Sequence, residues 1–340
     1  MNRARLIAIA ILGLLTFLLL VRLGDIDVSV ETLRRIQPAY LLGAIAVHYS
    51  GFVMRGERWR RMLAGMGHQV SFGYAFSLLL AGWFISALVP ARAGDLARAG
   101  LLRRDRGIPM AAGLGSVAAE RAFDALALVC LAALAGIWAL AGRTPEWVWQ
   151  SVVATSILFA VAITGLLAVP RLQGRLTQLF PWPFYQRALG FGFDLLANVR
   201  ELGRNPILLI IVGAQSVYVW LCDVFLAYLL LHGLGSPLPL AVAAFTAMAA
   251  DLAVTVPITP GAVGQFEAAF VGLLALFAVP ASQASLAVLL NRFVSFWTFI
   301  LFSGLVTYLT GLGRVLTREG QVANMGRSSP SLDPQSPQDQ

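Results

Sequence analysis

The sequence predicts an all-α, polytopic helical membrane protein with about six full spans plus two inverted, broken helical hairpins. Three observations carry this expectation. The chain of 340 residues is 58% hydrophobic and only 12% charged, whereas soluble domains are about 25% charged. Its mean hydropathy is +0.76, too high for a water-exposed globule. Two of its apolar runs are interrupted by similar Pro/Gly breaks, at Pro90 to Gly94 and at Pro257 to Gly264.

The elements follow in order from the apolar runs. Leu6 to Val21 reads as a retained signal anchor, because no small-x-small cleavage site follows Leu20. Arg22 to Gln37 reads as a short surface helix. Ala39 to Met54 is the second span, followed closely by Arg55, Arg58, Arg60 and Arg61. Phe72 to Val89 is stopped by the first break. A short helix from Leu96 to Leu102 leads into Arg103, Arg104 and Arg106. Ala111 to Leu140 and Val148 to Val169 are further spans. Arg171 to Asn205, with Trp182, Phe184 and Tyr185, reads as a cytoplasmic interfacial segment. Pro206 to Leu231 spans again. Leu238 to Val256, the second break, and Gln265 to Val279 form the second hairpin, and Ser282 to Leu312 is the last span. The expected organisation is one transmembrane domain over 1–316, with diverged inverted repeats around 72–140 and 238–312. Residues 317–340, rich in Ser, Pro and Gln, are expected to be a disordered cytoplasmic tail.

All 25 basic residues are Arg. With the N-terminus placed inside, eighteen of them fall in cytoplasmic segments and four outside. That bias predicts an inner (plasma) membrane protein with both termini cytoplasmic. It also accounts for the pI near 10.3 without a nucleic-acid partner. His48, His68 and His232 are scattered, as are Cys130 and Cys222, and no nucleophile elbow, P-loop or dinucleotide fingerprint is present. No metal, no cofactor, no disulfide and no enzymatic activity are expected.

The two breaks carry the functional expectation. Pro90-Ala-Arg-Ala-Gly94 and Pro260-Gly-Ala-Val-Gly264 share Pro-x-x-x-Gly, with Pro257 and Gly261 adding to the second. An acid follows each, Asp95 and Glu267, and an Arg lies inside the next long helix, Arg121 and Arg292. Non-helical backbone at membrane depth is tolerated where it is buried in protein or lines a wet cavity. Discontinuous helices from inverted repeats, meeting near mid-membrane, form transporter sites. Charges inside apolar runs cost about 2.5–3.5 kcal/mol each on insertion scales and so mark a pathway. The substrate-binding or translocation candidates are Arg92, Arg98, Arg121 and Arg292 with Asp95, Glu120, Asp124, Asp251 and Glu267. His48 and His232 are expected to be hydrogen-bonded structural residues. Asp223 faces either a cavity or a neighbouring helix. Trp83, Trp220 and Trp297 are expected to be packing or interfacial anchors, and Ser77, Ser86 and Ser116 to allow close helix contact.

At these residues the chain resembles the lysylphosphatidylglycerol synthase/flippase-like membrane family, which includes the membrane half of the multiple peptide resistance factor. The resembling motifs are Arg55-Gly-Glu-Arg-Trp59, Val89-Pro-Ala-Arg-Ala-Gly-Asp-Leu-Ala-Arg98, Glu120-Arg-Ala-Phe-Asp124, Thr259-Pro-Gly-Ala-Val-Gly-Gln-Phe-Glu267 and Asn291-Arg292. Ala262 stands where the family usually has Gly, and Ser86 where Asn is common. The resemblance implies an inner-membrane protein that moves a lipid or a polyprenyl-linked intermediate with an anionic or zwitterionic head group. The alternative is a non-transporting membrane partner of a lipid-modifying enzyme. No soluble domain that loads an aminoacyl group is legible here, so synthase activity is not expected.

Overall fold

The computed structural model describes residues 37–88, 93–140, 182–255 and 262–310, with isolated positions between them. The expected first span, the tail, and Arg92, Pro90, Pro257, Pro260 and Gly261 lie outside the described residues. So does most of the expected span from Val148 to Val169. Among the described residues every regular element is helical. The chain is an integral membrane protein. Among the described residues, three helices are long and apolar enough to cross a bilayer, Met110–Ala139, Pro206–Gly233 and Ala281–Leu309.

Helix α1 (Pro38–Gly65) is 28 residues long. Pro38 opens it at a position where the missing N–H costs nothing. Gly67, at φ 83°, ends it, with His68 N donating to Leu63 O at 2.9 Å. The expected span ended at Met54, so α1 is longer by three turns. The reason is that Arg55, Arg58 and Trp59 continue the helical stripe of Ala44, His48 and Phe52 and are buried with it. Arg55 and Arg58, counted above as loop charges, are therefore core residues. Arg98 is as well.

Helices α2 (Phe72–Leu88) and α3 (Ala93–Arg106) form an antiparallel hairpin around the first break. Gly82 and Gly94 bring their backbones together, so that a Cβ on Gly94 would overlap Gly82 O. Gly94 N donates to Ser86 Oγ at 3.1 Å. Gly94 thus sits within the first turn of α3 and serves close packing. Helix α4 (Met110–Ala139) packs on α3 through Gly113 and Ala99. Helix α5 (Pro183–Gly203) lies along α4 with Leu202 buried and Trp182 and Phe184 exposed.

Helix α6 (Pro206–Gly233) is again 28 residues, opens on Pro206, and has Asn205 capping Leu208 N at 3.0 Å. Gly235, at φ 75°, ends it as Gly67 ends α1. Helices α1 and α6 are antiparallel: Gly43 faces Leu229, Gly51 faces Cys222 and Gly65 faces Leu208. Helices α7 (Leu240–Ala253) and α8 (Gln265–Ala275) form the second hairpin, clasped by Gln265 Nε2 on Ala253 O at 2.7 Å. Helix α9 (Ala281–Arg292) runs through a π-helical turn, Phe293–Trp297, into α10 (Thr298–Leu309).

The two hairpins are interlocked. Helix α4 packs on α7, and α10 packs on α2. The main apolar core joins α4, α6, α7, α8 and α9 through Leu128, Val224, Met248, Phe270 and Val288. Outward faces carry Ile210, Leu301, Leu305 and Tyr308, all exposed. An apolar outer surface of this kind matches hydrocarbon and would associate in water.

Candidate functional site

A cavity of about 510 Å³ lies where α1, α4, α6, α7 and α9 converge. Its walls include Phe52, Trp83, Leu128, Trp220, Leu226 and Phe266. Its charged lining is Arg55, Arg121 and Arg292 against Asp124, Asp223 and Asp251. Of the sequence candidates, Arg121, Asp124, Asp251 and Arg292 are brought together here. Asp95, Arg98, Glu120 and Glu267 stand behind the lining and hold parts of it.

The first-half charges form a network, in which Arg58 Nε, Arg98 Nε and Nη1, and Glu120 Oε1 make no hydrogen bond among the described residues. Arg58, fully buried on α1, donates to Asp124 Oδ1 and Ser216 Oγ, both at 2.6 Å. Its Nη2 also lies 3.7 Å from Glu120 Oε1. Arg98 donates to Glu120 Oε2 at 3.0 Å and lies 3.7 Å from Asp95. The Arg98 guanidinium stacks 4.0 Å from the Trp59 ring centroid, and Trp59 Nε1 donates to Ser116 Oγ at 2.9 Å. This answers why three charges at i, i+1 and i+4 are tolerated in the middle of α4: cations from α1 and α3 meet them. Arg121 differs. Its side chain is 31% exposed, and Asp95, Glu120 and Asp124 lie 3.5, 3.6 and 4.0 Å away. Those are charge contacts beyond good hydrogen-bond length.

The centre of the cavity is built from α1 and α6. Arg55 donates from Nη2 to Asp223 Oδ2 at 3.2 Å. The same carboxylate accepts from His48 Nδ1 at 3.2 Å on its other oxygen. The Arg55 guanidinium lies 5.2 Å from the Trp83 ring and 5.4 Å from the Trp220 ring, a cage that orients it. Arg121 lies 5.9 Å from the same Trp83 ring. Among the described residues, Trp83 Nε1, Trp220 Nε1, His48 Nε2 and Arg121 Nε are buried without hydrogen-bond partners. Buried polar atoms are nearly always paired, so these four nitrogens at the cavity have donor or acceptor capacity to spare.

Of the second break, Thr259 and the residues from Ala262 to Gly264 are described. Gly264 caps α8 at φ 86°, with Glu267 Oε2 accepting from Gly264 N at 2.7 Å. Arg292 donates to Glu267 Oε1 at 2.8 Å and to Ala262 O at 2.9 Å. Ala262 itself holds φ 52°, a conformation that suits Gly. The π-helical turn directly after Arg292 rotates the helix at the cavity wall, and Asn291 and Ser295 line it.

Sequence reasoning missed Arg55 as a lining residue of the cavity and Arg58 as the partner of Asp124, and read His48, Trp83 and Trp220 as structural. The available signal was the helical period of α1, which puts His48, Phe52, Arg55 and Trp59 on one face. No signal marked the π-helical turn.

A model of the lysylphosphatidylglycerol synthase transmembrane region matches residues 5–303. The chain belongs to this family. Glycosyltransferase AglD of Haloferax volcanii is 26% identical over 321 residues, covering 84% of this chain and 51% of AglD. The chain therefore spans about half the length of that relative. A UPF0104 membrane protein of Methanothermobacter thermautotrophicus is 23% identical, covering 86% of this chain and 91% of its own length. UPF0104 membrane protein MJ1078 of Methanocaldococcus jannaschii is 25% identical, with 66% of this chain and 94% of its own length covered. No solved structure matches the chain.

Proposed function

We propose that this family member is a lipid flippase or transporter that carries the phosphate-bearing head group of an anionic or zwitterionic amphiphile through the central cavity. The carrying observation is the cavity itself: about 510 Å³, lined by three Arg and three Asp, with unpaired buried indole, imidazole and guanidinium nitrogens around it. That volume falls within the roughly 300–1,000 Å³ of small-ligand sites, so it suits a head group while acyl or polyprenyl tails stay in lipid. Arg55 and Arg121, at 5.2 and 5.9 Å from the Trp83 ring, would receive phosphate oxygens. The reading is non-enzymatic: the substrate crosses unchanged.

Two structural features support an inverted-repeat transport architecture. Helices α1 and α6 have equal length, the same opening Pro and the same left-handed terminating Gly, and they run antiparallel. Helices α7 and α8, of 14 and 11 residues, reach about 21 and 17 Å at 1.5 Å per residue. That is short of a hydrocarbon core of about 30 Å, as re-entrant hairpins require. The Arg bias of the remaining loops supports cytoplasmic termini in an inner membrane. A second reading, a membrane partner of a lipid-modifying enzyme, draws on AglD, a glycosyltransferase about half of which this chain matches.

The test is transfer of fluorescent lipids across liposomes containing the purified protein. Phosphomonoester, phosphodiester, zwitterionic and uncharged head groups would be compared. Phosphate-dependent transfer, lost in Arg55→Ala and Arg121→Ala, is the expected result. Equal transfer of uncharged lipids, or none of any lipid, overturns the reading.

A further inference from the structure

The charged groups in and around the cavity are, among the described residues, matched by opposite charges, with one exception. Among the described residues, Arg58, Arg98 and Arg121 face Asp95, Glu120 and Asp124 within 4.0 Å. Arg55 faces Asp223 at 3.2 Å, and Arg292 faces Glu267 at 2.8 Å. Asp251, near the end of α7, lines the same cavity and has no ion-pair or hydrogen-bond partner for its carboxylate among the described residues. An unpaired carboxylate in an apolar wall is costly when ionised, and the cost is relieved by a bound proton or cation.

We propose that Asp251 is the proton-binding site that couples proton movement to head-group transport through this cavity. The inference rests on the transport reading above. It singles out Asp251 among the acids at this site, because Asp124 and Glu267 are bound by Arg58 and Arg292. The step is simple in atoms: the Asp251 carboxylate takes one proton from one side of the membrane, forms an O–H bond, and releases the proton to the other side. No other bond changes.

The groups facing Asp251 set when this happens. From α1 come His48 and Arg55, from α4 Arg121 and Asp124, from α6 Asp223, and from α9 Arg292. Glu267 on α8 stands behind Arg292. Asp124 and Asp223 are neutralised by their own arginines, so a ligand phosphate arriving on Arg55 and Arg121 adds negative charge beside Asp251. Like charges disfavour ionisation of both, so head-group entry draws a proton onto Asp251 and head-group departure lets it go. His48 is the competing candidate, since its Nε2 is buried, unpartnered and at the same cavity.

Two measurements separate this inference from the transport reading. The first needs no transport: infrared difference spectra of the full-length protein across pH, with ¹³C-labelled aspartate. A protonated-carboxylic-acid band present in the wild type, absent in Asp251→Asn and retained in His48→Gln is expected. No such band, a band lost in His48→Gln alone, or a band removed by sodium at constant pH overturns the proposal. The second is lipid transfer with an imposed pH gradient. One proton per lipid predicts that the steady-state lipid ratio shifts about tenfold per pH unit and inverts when the gradient is inverted. Whatever lipid transfer remains in Asp251→Asn should be indifferent to the imposed pH gradient. Wild-type transfer indifferent to the gradient overturns the coupling while leaving the transport reading standing. No transfer under any condition removes the transport reading, and the coupling with it, even where the infrared band persists.

Discussion

In the first half of the molecule, Arg58, Arg98, Glu120 and Asp124 are sealed between α1, α3 and α4, and each charge meets its opposite on a neighbouring helix. In the second half, a single pair, Arg292 with Glu267, staples the break to the last long helix, and Asp251 is left facing the cavity. Both halves have a Pro/Gly break, an acid after it and an Arg in the next helix. Their similarity in sequence conceals a division of labour. A buried network of mutually paired charges acts as a scaffold, because removing any member strands its partner. A group that faces the cavity with spare valence is available to a ligand. Arg121 belongs to both, since it touches three acids at charge-contact distance and is 31% exposed.

Breaking the scaffold gives the largest expected effect. Arg58→Ala leaves Asp124 and Ser216 without their donor in a fully buried place, and stability should fall by about 3–5 kcal/mol. A thermal-melt assay in detergent reads this as a large drop in Tm. Arg58→Ala with Asp124→Ala should recover most of it, because Glu120 keeps Arg98 and Arg121. Equal loss in the single and double variants would show that the pair is not the unit.

Arg121 sharpens the boundary between scaffold and site. Arg121→Ala should melt within about 1 kcal/mol of wild type, because its contacts are long and partly solvated. Its lipid transfer should fall about ten- to hundredfold, the worth of one charged hydrogen bond. Arg121→Lys should recover only a small part, since Lys keeps the charge and lacks the two-pronged fork. A collapse of Tm in Arg121→Ala would move this residue wholly into the scaffold.

The two breaks can be compared by adding or removing one methyl group. Gly94→Ala forces α2 and α3 apart, because a Cβ there overlaps Gly82 O. A loss of about 1–3 kcal/mol is expected, typical of overpacking. In the second break the opposite change should help. Ala262 holds φ 52°, so Ala262→Gly should raise stability by about 0.5–1 kcal/mol. A fall in Tm for Ala262→Gly would mean that the methyl, which is buried, packs better than the backbone strain costs.

The sequence by itself determined the helical membrane class, the family, the last long helix and the two hairpins. Each of these is encoded locally. Apolar run length, Pro and Gly placement and a 3.6-residue period are properties of neighbouring residues. The sequence also marked Glu120, Arg121, Asp124 and Arg292, because a charge in an apolar run is visible without a fold. Tertiary structure alone decided which of those charges face the cavity and which are buried behind it. Asp124 lies one turn from Arg121 on α4, yet its hydrogen bond goes to Arg58 from α1 at 2.6 Å. Arg55 and Arg58 read as the end of a span until α1 was seen to run on to Gly65. His48, Trp83, Trp220 and Asp223 become one site because α1, α2 and α6 cross there. The physical reason is the range of the interactions. Helix formation is settled within a few residues, whereas the partner of a buried charge is chosen by which distant helix carries the opposite charge to the same depth.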